Sequence, residues 1–209
     1  MGNNNNPPDI ILKNGDAIEV KKMEKKSSIS LNSSYSKSKL RSDDERINQA
    51  CREVEDWNEK DIIYSIGIVK NNTLINLFLV YGDIYAASHE IYDSVFKRVQ
   101  NAIIESGLEL SPTKELGRIN RVDPLGITYL RVRGMWGIEH PLDVYSYLLE
   151  EDLSDNFSLV CLMTRKKYDS FPNEDIKLIE NSSDIILKDV EIKDPNNPAK
   201  LIDSILIRV

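Results

Sequence analysis

The stretch Pro8-Asp9-Ile10-Ile11-Leu12-Lys13-Asn14-Gly15-Asp16-Ala17-Ile18-Glu19-Val20-Lys21-Lys22 decides how this chain is read. Ile10-Ile11-Leu12 is a short apolar run. Lys13-Asn14-Gly15-Asp16 has the chemistry of a turn, because Asn-Gly tolerates positive φ. The residues from Ala17 to Lys21 then alternate. A period of two puts Ala17, Glu19 and Lys21 on one strand face and Ile18 and Val20 on the other. The pattern predicts a tight β-hairpin over 9–22, with Asp9 entering the first strand beside Glu19. Two adjacent carboxylates repel unless a cation lies between them. Hard oxygen ligands of this kind suit Mg²⁺, which takes one or two carboxylates and keeps several waters. Lys21 projects beside that position, where an ammonium orients a water or offsets charge growing on a phosphate. Asp16 is a competing carboxylate, read as a turn-stabilising residue. A solvated hairpin face is the plainer alternative, since Glu-x-Lys is common in proteins.

Pro8, Asp9, Glu19 and Lys21 resemble the signature of the PD-(D/E)XK nuclease superfamily. The resemblance narrows with NNPPDIILKNGDAIEVKK (5–22), ISLNSSYSKSKL (29–40), QACREVEDW (49–57), KDIIYSIGIV (60–69) and FLVYGDIYAAS (78–88). Together these are similar to the NgoPII family of type II restriction endonucleases. The resemblance implies an α/β, restriction-endonuclease-like fold with a mixed central sheet flanked by helices. It implies a Mg²⁺-dependent enzyme that cuts double-stranded DNA at a short G/C palindrome, GGCC first and GGNCC next. Asp9, Glu19 and Lys21 are then catalytic, with Asp9 and Glu19 as the metal ligands. A palindromic target implies a homodimer with matching two-fold symmetry. A restriction role implies a DNA methyltransferase as functional partner in the same system, and a bacterial or archaeal cytoplasm. Nucleases of this superfamily usually carry a helix and a strand ahead of Pro-Asp. Here Pro8-Asp9 follows Met1 closely, so the chain is expected to be short at its N-terminus. Two alternatives stay open: another PD-(D/E)XK nuclease of repair or mobile elements, and an inactive, truncated DNA-binding remnant.

A chain of 209 residues with 41% hydrophobic and 29% charged content is long enough to bury one core. No apolar run reaches the roughly 18 residues of a membrane span. The Asn-rich start does not read as a signal peptide. Cys51 and Cys161 are far apart without metal-ligand spacing, and are expected to be reduced core thiols. His89 and His140 are too few for a histidine metal site and are read as structural or surface groups. The net charge of −7 argues against a general nucleic-acid binder. The segment 1–41 opposes it, with eight basic and four acidic residues. That is the local basic surface phosphate contacts require.

The organisation expected is one nuclease domain over 1–209. Its catalytic hairpin is followed by a Ser/Lys/Asn-rich connection over 23–45, too long to be idle in a compact domain. That connection is read as a DNA-facing loop, with Lys22 before it and Asn32, Ser33, Ser34, Tyr35 and Lys37 as candidate DNA contacts. A flexible solvated loop is the alternative. Further elements are a short helix over 45–56, strands over 61–69 and 73–81 joined through Asn71-Asn72, and a helix over 89–106 closed by Gly107. Residues 108–126 read as loop, 127–133 as a strand, 142–150 as a short helix, 157–163 as a strand and 173–181 as a helix. One or two further strands follow in the tail. Arg131 and Arg133 share the 127–133 strand face with Tyr129, next to Gly134-Met135-Trp136-Gly137. Region 118–137 is therefore the candidate for base recognition, because arginine pairs with guanine O6 and N7. Ion pairing to acids such as Glu139 is the competing reading. Arg118 and Arg121 are weaker candidates, and Arg165-Lys166-Lys167 is either a phosphate contact or a solvated run.

Overall fold

The computed structural model describes residues 8–31, 34–44, 47–108, 110–111, 116–149 and 157–209. The opening hairpin forms as its turn chemistry predicts. Strands β1 (Ile10–Ile11) and β2 (Ala17–Met23) pair antiparallel. Asn14 takes φ 56° in the turn, and the Leu12 N–H donates to the Asp16 carbonyl at 3.0 Å. Next come β3 (Ile29–Leu31), β4 (Lys39–Arg41) and the single turn α1 (Gln49–Arg52). The Asn48 side chain caps α1, accepting from the Ala50 N–H at 2.9 Å. Strands β5 (Glu59–Lys70) and β6 (Thr73–Tyr81) form the long central hairpin. Asn71 and Asn72 take φ 48° and 61° between them, both positive as a type I′ turn requires. The chain continues through α2 (Gly82–Tyr85), α3 (His89–Glu105), β7 (Gly117–Asn120), β8 (Tyr129–Val132), β9 (Trp136–Ile138) and α4 (Pro141–Val144). It ends with β10 (Ser158–Thr164), α5 (Arg165–Tyr168), α6 (Asn173–Glu180), β11 (Ile186–Asp194) and β12 (Asn197–Arg208).

The central sheet runs β1-β2-β5-β6-β10-β12-β11, with β4 pairing a further stretch of β5. The β2–β5 and β6–β10 neighbours are parallel and the others antiparallel, so the sheet is mixed. Apolar side chains cover both faces. On one, Ala17, Ile62, Tyr64, Ile66, Phe78, Val80, Val160 and Leu162 pack with Ile84, Tyr85 and Tyr145. On the other, Tyr81, Cys161, Met163, Tyr168, Ile205 and Ile207 meet Phe171, Ile176 and Ile179 from the α5–α6 region. A large mixed sheet flanked by helices is consistent with a restriction-endonuclease-like fold, as the sequence predicts. Both cysteines are buried and free, and burial pushes the Cys161 thiol up to about 12. Among the described residues no helix is long and apolar enough to cross a membrane.

Several elements differ from expectation. Segment 23–45 is not one loop: β3 pairs with β9 and β4 with β5. Its strands alternate one apolar residue with polar ones, and Ile29, Leu31 and Leu40 are buried. Region 108–126 contains β7, which pairs with β8. Helix α3 forms over the predicted span, but Ile91, Val95 and Val99 stay 43%, 45% and 40% exposed. The periodicity therefore gave the helix but not the face it buries.

Candidate active site

Strand β2 inverts the usual alternation. Glu19 and Lys21 share the face of Ala17 and turn inward, with side chains only 12% and 24% exposed, while Val20 is 45% exposed. Parallel register sets Glu19 beside Tyr64 and Lys21 beside Ile66 on β5. The Lys21 Nζ donates to Glu19 Oε1 at 2.6 Å. Asp9 continues the β1–β2 register to a position opposite Glu19, and its Oδ2 accepts the Val20 N–H at 2.7 Å. Burial raises the Glu19 carboxyl above its ordinary range. The Lys21 ammonium lowers it in part, and the Asp9 charge raises it again.

Glu19 Oε2 is buried with no hydrogen-bond partner. An orphaned carboxylate oxygen next to a second carboxylate is an arrangement a hard cation satisfies, so Asp9 and Glu19 fit a divalent ion. Among the described residues there is no grouping of three or more His, Cys, Asp and Glu of the kind a protein cage uses. Two carboxylates are what a Mg²⁺ that keeps waters requires.

The hairpin is held from beneath by a residue to which sequence reading gave no role. Lys60, 7% exposed at its side chain, donates to the Leu12 and Gly15 carbonyls at 3.1 and 2.7 Å and pairs with Glu55. Glu55 accepts the Asn14 N–H at 3.0 and 2.8 Å. Lys60 shares the buried face of Ile62, Tyr64 and Ile66. A lysine in phase with apolar residues at spacing two is the signal that marks it. Asp16 is a structural residue, as read, but its partners are distant in sequence: Lys167 at 2.8 Å and the Tyr81 hydroxyl at 2.9 Å. Lys167 also pairs with Asp61 at 2.7 Å. That lysine of the basic run is thus neither solvated nor presented to a phosphate.

The NgoPII restriction endonuclease family model matches residues 1–193. The chain belongs to that family. It is 48% identical to the Type II restriction enzyme NgoPII of Neisseria gonorrhoeae, over 99% of this chain and 76% of that relative. No solved structure matches. Membership in the NgoPII family makes the chain a site-specific deoxyribonuclease by enzyme class.

The remaining residues expected at the site of this NgoPII family member fall into four groups. Lys22, Arg131 and Arg133 are exposed. Tyr35 and Lys37 correct the reading of a DNA-facing loop, being only 2% and 6% exposed. The Tyr35 hydroxyl meets His89 Nδ1 at 2.6 Å, and its ring stacks on Tyr92 with centroids 5.1 Å apart. Lys37 pairs with Asp44, and its N–H donates to the Tyr64 hydroxyl at 2.6 Å. The Tyr35 side chain therefore holds the segment to α3, and the Lys37 backbone holds it to β5. Ser34 is half-buried and donates to the Tyr35 carbonyl at 3.2 Å. Asn32 and Ser33 lie outside the described residues. His140 is structural, as read: it is fully buried, and its Nδ1 accepts the Leu142 N–H at 3.1 Å to cap α4.

Proposed function

We propose that this chain hydrolyses the phosphodiester backbone of double-stranded DNA at a short G/C palindrome, GGCC first and GGNCC next, with Mg²⁺ as cofactor. The observation that carries the reading is the inward-turned Asp9–Glu19–Lys21 group with its orphaned carboxylate oxygen. This is the PD-(D/E)XK constellation, and the relative NgoPII is a Type II restriction enzyme. Asp9 and Glu19 would hold the ion, which when bound supplies a Lewis acid toward phosphate oxygen and a water of lowered pKa. Lys21 donates toward the phosphate or the attacking water, offsetting charge that grows in the transition state. Its contact with Glu19 Oε1 holds the ammonium at the reacting position before DNA arrives. The Lys60 and Asp16 anchors keep the hairpin from moving when it meets the duplex.

In this reading the whole chain acts as one nuclease domain, with 118–137 as the recognition region and Lys22 and the exposed part of 23–45 near the backbone. A palindromic target calls for a homodimer, one site per strand. A methyltransferase of the same system protects host DNA. The test is digestion of a plasmid bearing several GGCC sites, with Mg²⁺ and with EDTA. Discrete Mg²⁺-dependent fragments whose ends map to one palindrome are expected. Binding without cutting under both conditions would instead support a DNA-binding remnant.

A further inference from the structure

Strands β7 and β8 form a two-stranded ribbon outside the central sheet. Its register opposes Arg118 to Arg131 and Asn120 to Tyr129, so these four side chains share one face. The other face carries Gly117, Ile119, Leu130 and Val132. Gly117 and Ile119 are buried there. A Cβ at Gly117 would stand 2.8 Å from Leu110 and 3.7 Å from Ile103 of α3, so the ribbon closes tightly on Leu110 and touches the end of that helix. The polar face is exposed, Tyr129 by 57%.

Arg118 on this face is held by neutral groups. Its guanidinium carbon lies 4.6 Å from the centre of the Tyr129 ring. Its Nε donates to Asn120 Oδ1 at 3.0 Å, and Asn120 Nδ2 donates in turn to Ser111 Oγ at 2.7 Å. That relay fixes the Asn120 amide and the plane of the guanidinium. Among the described residues no carboxylate pairs with Arg118. An arginine used only for stability would be expected to meet an acid; this one is exposed and lies over an aromatic ring, and among the described residues only its Nε is engaged, by the hydrogen bond to Asn120.

Resting on the nuclease reading above, we infer that Arg118 is a specificity-determining residue that reads a guanine in the major groove. A two-stranded ribbon fits that groove, and guanine there offers O6 and N7 to a bidentate guanidinium. Stacking on Tyr129 and the Asn120 contact order the fork before DNA binds, so little rotamer freedom is lost on recognition. The sequence alone ranked Arg118 below Arg131, because it assigned Arg118 to a loop.

The test compares wild type, Arg118→Lys and Tyr129→Leu on the cognate duplex and on duplexes with each base pair of the site changed singly. Lysine keeps the charge but not the planar fork. Arg118→Lys is expected to cut the cognate site roughly ten- to a hundredfold more slowly. Its discrimination should fall by a similar factor at one symmetry-related pair of G·C positions only, one in each half-site. Tyr129→Leu should show a smaller loss at the same two symmetry-related positions, which a general folding defect would not single out. Wild-type rate and discrimination in Arg118→Lys would overturn the inference and leave the nuclease reading intact. Equal loss at every position would also overturn it. Absence of Mg²⁺-dependent cutting by the wild type would overturn both.

Discussion

Glu19 carries a conflict between stability and chemistry. Its carboxylate is taken out of water, and one oxygen is left without a donor. Its folded-state pKa is raised, chiefly by that burial. The folded chain thus holds the proton to higher pH than the unfolded chain does. The stability linked to Glu19 is fully present below the ordinary value of 4.5 and is lost as pH rises through the folded pKa. Glu19→Gln should therefore be more stable than wild type at pH 7.5, and the difference should vanish below pH 4.5; urea melts at the two pH values measure it. A variant less stable than wild type at pH 7.5 would show that the Lys21 contact outweighs burial. That Glu19 and Lys21 share a face is legible from a period of two beside a turn; that this face turns inward is not, because an apolar Val20 on the other face is the residue left exposed. Lys60 obeys the same period, but a sequence does not say which carbonyls a buried ammonium will find. Tyr35 and Lys37 were misread because a Ser/Lys-rich setting hides burial that depends on β5 and α3.

Among elements, the hairpins joined by local turns were the legible part. Asn14-Gly15 and Asn71-Asn72 fix their own backbone, so β1–β2 and β5–β6 follow from neighbours in sequence. Strands β3, β4 and β7 did not, because each pairs with a partner distant in the chain and shows only one or two apolar residues. The joint between β6 and α2 shows how tightly such segments close on the sheet. A Cβ at Gly82 would lie 2.5 Å from the Lys37 carbonyl, 2.6 Å from Ile62 Cγ2 and 2.7 Å from the Ser38 carbonyl. Two of these obstacles are backbone and cannot rotate away. Gly82→Ala should cost about 3 kcal/mol, the upper part of the overpacking range, and lower the midpoint of a denaturant melt. An unchanged midpoint would mean that the 37–38 segment is free to move off β5.

For the whole molecule, the basic excess of the opening segment is largely taken up by ion pairs, Lys21 with Glu19, Lys26 with Asp143, Lys37 with Asp44, Lys39 with Asp61 and Arg41 with Asp43. The family match supplies the enzyme class, while the mixed sheet brings Asp9, Glu19 and Lys21 together at its β1–β2 edge. We propose that this group does the cutting. It is tested most directly by measuring single-turnover plasmid cleavage and DNA binding in parallel, for wild type and for Lys21→Ala. Lys21→Ala is expected to keep binding within a few-fold and to lose at least about a hundredfold in cleavage rate, the scale of removing one preorganised donor from a transition state. Cleavage by Lys21→Ala at the wild-type rate would place the chemistry elsewhere in the molecule.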